Sequence, residues 1–320
     1  MICIALDAMG GDKAPFVVVK GAVDACRESN GQFSVVLTGA KDLIQAELDK
    51  LGYTGEGIEI FDAPQIVNMD DPPTEVLKNK QDSGLVRCVS LQKAGQAHAS
   101  ISAGNSGAMM AACLMILGRV GKISRPAVTC DLPSLKQETV LLDCGVNVDE
   151  KSMHLVHFAV CGSVYAENIL KRSNPTVGLL NIGEEEKKGP ELIQETYQQL
   201  KKAPVNFIGN VEGRDIIKGD VDVIVTPGYT GNIVLKLMEG FYEMHNKLFG
   251  KIDTPAGEKF HREWNYSNKG GALLLGLNGT GLITHGRAEP QTIKMAILTG
   301  YEMAANKVAE KIGTKLEELE

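Results

Sequence analysis

The sequence predicts a three-layer α/β/α fold around a mixed, mostly parallel sheet, and three observations carry that prediction. Short apolar runs alternate with amphipathic helical stretches along most of the chain. Nearly every apolar run stops at a glycine-containing or polar turn. No repeat of 20 to 50 residues, low-complexity tract or linker breaks the alternation. Continuous apolar strands joined by helices bury both faces of a sheet, which is the pattern of parallel strands.

The elements follow in order. Ile2 to Leu6 reads as a strand that ends in Asp7-Ala8-Met9-Gly10-Gly11-Asp12, and Pro15 opens a helix with Phe16, Val19, Ala22, Val23 and Cys26 on one face. Ser34 to Leu37 ends at Gly39, before a helix carrying Leu43, Ala46, Leu48 and Leu51. Ile58 to Phe61 leads through a polar stretch to Asp70-Asp71-Pro72-Pro73 and a helix with Val76 and Leu77. Further strands are expected at Thr139–Leu142, Thr176–Leu180, Val205–Ile208, Val221–Val225 and Gly281–Thr284. Ile233 to Phe249 is the one long helical pattern without a flanking strand. Its apolar stripe (Val234, Leu237, Met238, Phe241, Met244, Leu248) is suited to the core or to another subunit.

Composition bounds the function. With 320 residues the chain can hold one large domain or two intertwined subdomains. A net charge of -7 disfavours nucleic acid, and any acidic partner would need a local basic patch. The seven cysteines show no CxxC pair and no metal-ligand spacing. Cys113, Cys144 and Cys161 lie in apolar runs as small core residues, which fits a reducing, cytoplasmic compartment. The longest apolar run, Ala108 to Leu117, falls short of the roughly 20 residues that span a bilayer. The N-terminus has Asp7 among its first ten residues and no basic lead, so it reads as a strand, not a signal peptide.

The chain is organised around Ala99 to Leu117. Ile101 reads as the end of a buried strand, followed by Gly104-Asn105-Ser106-Gly107 and an apolar helix. A strand that breaks into a glycine turn and then a helix gathers backbone N–H groups and partial positive charge, which suits an anion. Asn105 and Ser106 can cap that helix. A tight turn whose glycines only solve a backbone problem fits the same residues.

In an open α/β sheet, ligands lie beyond the carboxyl ends of the strands. That rule gathers the turns Asp7–Asp12, Gly104–Gly107, Asp143–Asn147, Asn181–Gly189, Gly209–Arg214, Pro227–Asn232 and His285-Gly286. Glu184 to Lys188 also reads as a solvated mixed-charge turn, and Arg214, between Glu212 and Asp215, as an anion ligand or a neighbour's partner. His154 and His157 lie on an apolar helix and read as structural. No dinucleotide fingerprint, Walker loop, GxSxG elbow or HExxH motif occurs. Asp220 and Asp222 stand beside no other carboxylate cluster, so no metal is expected.

Eight segments in sequence then carry a resemblance. They are DAMGGDKAP (Asp7 to Pro15), SAGNSGA (Ser102 to Ala108), RPA (Arg125 to Ala127), LLDCGVNVD (Leu141 to Asp149), GSVYA (Gly162 to Ala166), VGLLNIGEEEKKG (Val177 to Gly189), FIGNVEGRDI (Phe207 to Ile216) and GNIVLK (Gly231 to Lys236). In this order the chain resembles the bacterial phosphate acyltransferase (PlsX) family over nearly its whole length. It departs from that pattern at Pro227-Gly228-Tyr229 (usually Asp-Gly-Phe), at Leu273 (usually proline) and at Lys13 (often histidine).

The resemblance implies an isocitrate/isopropylmalate dehydrogenase-like fold with two intertwined subdomains. It implies one catalytic domain over 1–320, with a helical dimerisation arm at about 233–264. It implies an enzyme that makes acyl-phosphate from acyl-(acyl carrier protein) and inorganic phosphate in phospholipid synthesis, as a homodimer without cofactor. A thioester is already activated, so phosphate attacks it without an enzyme nucleophile. Lys188, His285 and Asn232 are then expected to be catalytic. Asp7, Gly10, Gly11, Asp12, Gly104, Asn105, Ser106, Gly107, Asn181 and Arg214 are expected to bind substrate. In the family the arm carries an apolar, cationic tip thought to touch the membrane. Here Gly250–Gly257 has one large apolar residue, so at most peripheral contact is expected, through a partner such as a membrane glycerol-3-phosphate acyltransferase. A dehydrogenase of the same fold and a non-catalytic carrier-protein-binding scaffold are the alternatives.

Overall fold

The computed structural model describes residues 1–250, 252–265 and 268–319. In chain order the elements are β1 (Ile2–Asp7), α1 (Phe16–Glu28), β2 (Phe33–Gly39), α2 (Lys41–Lys50), β3 (Ile58–Asp62), α3 (Pro73–Asn79), α4 (Gly84–Lys93), β4 (Ala99–Ser102) and α5 (Ser106–Ala112), with α5 continuing into a π-helical turn at Cys113–Leu117. Then come β5 (Ala127–Leu132), β6 (Thr139–Leu142), α6 (Ser152–Asn168), β7 (Thr176–Leu180), α7 (Glu191–Leu200), β8 (Asn206–Val211), α8 (Gly213–Lys218), β9 (Val223–Val225), α9 (Gly228–Phe249) and α10 (Pro255–Trp264). β10 (Ala272–Leu275), β11 (Gly281–Ile283), α11 (Pro290–Ala305) and α12 (Val308–Leu316) complete the chain.

The chain forms two compact units, each built from two separate stretches. The first comprises Met1–Gly118 and Ser267–Lys307, the second Arg119–Tyr266 and Val308–Glu320. In the first unit the strand order is β3-β2-β1-β4-β11-β10, parallel except where β10 runs against β11. Ile4, Leu6, Val35, Leu37 and Ile101 are fully buried, as continuous apolar strands covered on both faces require. Helix α1 packs against α11, while α4 packs on β1 and β2.

In the second unit the order is β5-β6-β9-β7-β8, with only β5 antiparallel to its neighbour β6. Helix α6 is buried on all sides from His154 to Ala166, which explains its nearly unbroken apolar sequence. His154 and His157 sit inside it, and burial holds both imidazoles below their ordinary pKa. Cys113, Cys144 and Cys161 are buried as the sequence predicts.

The observed strands differ from the sequence reading in two places. β5 and β10 are absent from the predicted set, and both are antiparallel. The expected helix at Ile233 begins at Gly228, so Asn232 lies in its first turns. Along α9 the apolar residues Ile233, Leu237, Phe241, Met244 and Leu248 are exposed, so this face is not part of the unit's core. Its other face meets α10 through Tyr242 and His245, which pack on Phe260, and Phe241 also reaches the ring of Trp264. Lys251, in the expected arm tip, lies outside the described residues.

Candidate active site

Parallel register fixes where the turns gather. In the first unit Asp7 pairs with Thr38 on one side and Ser102 on the other, and Ser102 pairs with Ile283. The turns after β1, β4 and β11 therefore share one edge. Thr284 N donates to Ser102 O at 2.9 Å and Asp12 N to Gly286 O at 2.8 Å. This edge brings together Asp7, Gly10, Gly11, Asp12, Gly104, Asn105, Ser106, Gly107 and His285.

Asp7 lies beneath this edge rather than on it, at 3 % exposure. Its Oδ2 accepts from Ser102 Oγ at 2.7 Å and its Oδ1 from Met9 N at 3.2 Å. Ser102 Oγ in turn accepts from Gly104 N at 3.0 Å. Burial pushes the Asp7 carboxyl up to about 6, against the pull of these two hydrogen bonds. Glycine is required above it: a Cβ at Gly10 would stand 2.6 Å from Gly104 N and 2.7 Å from Asp7 Oδ2.

Asn105 is the N-cap of α5 and accepts from Ala108 N at 2.9 Å. Its amide nitrogen donates to the carbonyls of Asn68, Met69 and Asp71 at 2.9 to 3.2 Å, pinning that loop to the turn. Both ends of the side chain are thus occupied. The Gly104 N–H is also taken, which leaves the Ser106 and Gly107 N–H groups of the first helical turn. His285 is exposed, and its Nδ1 accepts from Arg287 N at 3.1 Å. The neutral ring therefore carries its proton on Nε2, where it can donate outward.

In the second unit Leu142 pairs with Val225, Val225 with Leu179, and Leu180 with Val211. The turns after β6, β9, β7 and β8 share the carboxyl edge. Asp143, fully buried, is its anchor: it accepts from Val128 N at 2.9 Å, Asn147 N at 2.7 Å, Asn147 Nδ2 at 2.9 Å and, more weakly, Val146 N at 3.4 Å. Burial raises its pKa and these donors oppose the rise. Helix α9 begins directly on this turn. A side chain at Gly231 would overlap the Asp143 carbonyl, and Gly228 N donates to Glu150 Oε1 at 2.6 Å. Pro227 is the N-cap and offers no side-chain acceptor; Glu150 supplies the carboxylate at this helix start. Asn232 is exposed and stacks on Gly145, whose missing Cβ would lie 2.9 Å from Asn232 Cβ.

The loop from Asn181 to Gly189 is tied down from within. Asn181 Nδ2 donates to Lys188 O at 3.0 Å, its Oδ1 accepts from Ile182 N at 2.8 Å, and Asn210 Nδ2 donates to Glu185 O at 2.9 Å. Lys188 is exposed on this held loop, and among the described residues its ammonium meets no hydrogen-bond or ion-pair partner. Arg214 instead pairs with Glu212 at 2.8 Å and Glu184 at 3.6 Å. Ser102 and Glu150 were not picked out from sequence, and Asp143 and Asn210 entered it only as part of the Asp143–Asn147 and Gly209–Arg214 turns. The Asp143–Asn147 turn carried the one readable signal, an Asp with an Asn four residues on. The Cys144 thiol in that turn is buried and its pKa is pushed well above the ordinary value, chiefly by burial, so it is no nucleophile. No group of His, Cys, Asp and Glu among the described residues is arranged to hold a metal.

Comparison with known proteins matches this chain at the level of sequence and of fold. The family model described as Fatty acid synthesis protein matches residues 2–311. The phosphate acyltransferase of Pelobacter propionicus is 42% identical, covering 98% of this chain and 94% of its own. That of Dictyoglomus turgidum is also 42% identical, covering 97% and 96%. Among solved structures, a phosphotransacetylase from Streptococcus pyogenes superposes with a TM-score of 0.64 at 18% identity, over 94% of this chain and 93% of that one. A 4-hydroxythreonine-4-phosphate dehydrogenase from Burkholderia phymatum shares the fold at a TM-score of 0.50 and 12% identity, over 96% and 98%.

Proposed function

The chain belongs to the Fatty acid synthesis protein family and is an acyltransferase acting on phosphate, and from that premise we propose that its acyl donor is the thioester of acyl carrier protein and its role is in phospholipid synthesis. The observation that carries the reading is the contrast on the carboxyl edge of the second unit. Lys188 and Asn232 are exposed and uncommitted there, while the thiol of the same edge is buried and held protonated. Such an edge supplies charge and hydrogen bonds without a covalent nucleophile.

The chemistry needs no more than that. A phosphate oxygen attacks the thioester carbonyl, the C–O bond forms, and a tetrahedral oxyanion develops. The C–S bond then breaks, and the proton brought by phosphate ends on the departing sulfur. Lys188 and Asn232 stabilise the oxyanion. Within the first unit, the Ser106 and Gly107 N–H groups, the glycines of the Asp7–Asp12 turn and the outward Nε2–H of His285 are suited to anionic oxygens. Asp7, Asn105 and Asn181 act from beneath by positioning these turns, and Arg214 contributes through its pairing with Glu184 and Glu212.

The exposed stripe on α9 is suited to a second copy of the chain. Dimerisation through it predicts that Phe241→Asp gives a monomer by light scattering, where the parent scatters as a dimer. No helix among the described residues is long and apolar enough to cross a membrane; membrane association, where it occurs, runs through a partner such as a glycerol-3-phosphate acyltransferase.

Incubation with acyl-carrier thioester and phosphate tests the function. Acyl-phosphate formation supports it. Reduction of a nicotinamide cofactor instead would make the chain a dehydrogenase, and carrier binding without turnover would make it a scaffold.

A further inference from the structure

We propose that a cationic face of the second unit, formed by Arg119, Lys122, Arg125 and Lys151, docks the acidic surface of the carrier protein that brings the acyl thioester. The proposal rests on the donor named under the proposed function. It starts from a contrast in how cations are used. The chain carries 40 acidic side chains against 33 Lys and Arg, and several cations elsewhere in this unit pair with carboxylates. Lys136 meets Asp220, Arg172 meets Asp222, Lys218 meets Asp215 and Lys236 meets Glu239. Among the described residues, none of Arg119, Lys122, Arg125 and Lys151 does. Arg119 donates to Ser124 O at 2.5 Å, Lys122 to Leu319 O at 3.4 Å and Arg125 to Asp149 O at 2.9 Å, all neutral carbonyls that leave the charge uncompensated.

Arg125, Lys151 and Lys122 lie about the start of α6, and Arg119 joins them through the carbonyl of Ser124, the residue before Arg125. After burial, the positive charge of Arg125 is the next cause that lowers the His154 pKa, and Lys151 adds to it. His157 is lowered by burial, then by His154 and Lys122. Asp149 and Glu150 oppose this field at His154, but the Glu150 carboxylate is engaged by Gly228 N. Val148, at 80% exposure, and Met153, at 41%, supply apolar surface within the cationic rim. A polar, charged rim around a small apolar centre is the make-up of a protein-docking surface. An anionic bilayer needs far more apolar area to hold a protein than one valine and one methionine.

Position connects the face to the chemistry. Asn147 Nδ2 donates to Pro126 O at 2.9 Å, and Cys144 N to Val128 O at 3.0 Å. The segment carrying Arg119 to Arg125 is therefore fastened to the Asp143–Asn147 turn, on which Asn232 rests through Gly145. A carrier docked here presents its thioester arm along the edge that holds Asn232 and Lys188.

The test compares one acyl group on two donors, the carrier protein and free phosphopantetheine. In Arg119→Glu/Lys122→Glu, and in the milder Arg119→Gln/Lys122→Gln/Lys151→Gln, kcat/KM for the carrier-linked donor should fall about tenfold or more, mainly through KM. Its dependence on salt should flatten. The phosphopantetheine donor should stay within about twofold, which also shows that the variants fold. Equal losses on both donors, or no loss on either, would overturn the proposal. So would charge reversal that abolishes binding to anionic vesicles and leaves the carrier KM unchanged. Carrier binding followed by fluorescence anisotropy separates docking from turnover. Parent protein that binds carrier, loses it on charge reversal and makes no acyl-phosphate would uphold the face and refute the proposed function. Parent protein that turns over but binds carrier no better than the variants would do the opposite.

Discussion

Each unit places a buried aspartate at the end of a strand, and the two are held differently. Asp143, at the end of β6, accepts four N–H bonds and closes a turn. Asp7, the last residue of β1, accepts two hydrogen bonds among the described residues, from Ser102 and Met9, and burial lifts its pKa to about 6. Donor count decides the difference, because every N–H aimed at a carboxylate offsets part of its desolvation. Asp143, whose pKa burial also raises, is therefore held by its donors as the anchor of its turn. Asp7 is a carboxylate whose charge the fold opposes near neutral pH, although both lie under turns at the carboxyl edge of their sheet.

The largest effect separating the two is expected from Asp143→Ala. It strands three well-placed donors and one weaker one in a buried turn, and should cost on the order of 4 kcal/mol. Urea unfolding measures it, and a loss below about 1 kcal/mol would remove Asp143 from its place as anchor. The next concerns pH. The folded-state pKa of Asp7 lies above its ordinary 3.8, so its contribution to stability is full when it is protonated, below about pH 4. It is lost as pH rises through about 6. Relative to Asp7→Asn, the parent should lose about 3 kcal/mol between pH 4 and pH 7. Urea midpoints across that range check it, and a constant or inverted gap would show that Asp7 is not desolvated. Ser102→Ala should cost less, about 2 kcal/mol at pH 7.5, by stripping a donor from Asp7 and an acceptor from Gly104 N. Because protonated Asp7 needs no donor, the loss should shrink at pH 5, and a loss equal at both pH values would break the link.

Much of this organisation was legible in the sequence because it follows from periodicity. β1, β2, β3, β6, β7 and β11 are apolar runs bounded by turn residues, and the parallel register gathers the turns after them on shared carboxyl edges, as the sequence predicts. β5 was hidden because its sequence interrupts the apolar run with Thr129 and Asp131, and β10 because four residues after two glycines carry too little pattern. Within the edges, sequence could name Asn105, Asn181 and Arg214 but not their orientation. A short amide bonds the nearby backbone as readily as a ligand, and an arginine flanked by carboxylates pairs at home. Asn105 and Asn181 are both consumed in this way, whereas Lys188, on a loop that Asn181 holds, is not.

That division between committed and uncommitted groups is tested most directly by the turnover number of Lys188→Ala, with Lys187→Ala as its neighbouring control. Acyl-phosphate formation at saturating substrate should fall about 10²–10³-fold in Lys188→Ala, as for the loss of one oxyanion donor. Its melting temperature should stay at the parent value, and Lys187→Ala should remain within a few-fold of parent activity. A folded Lys188→Ala protein that turns over within a few-fold of the parent would contradict the account.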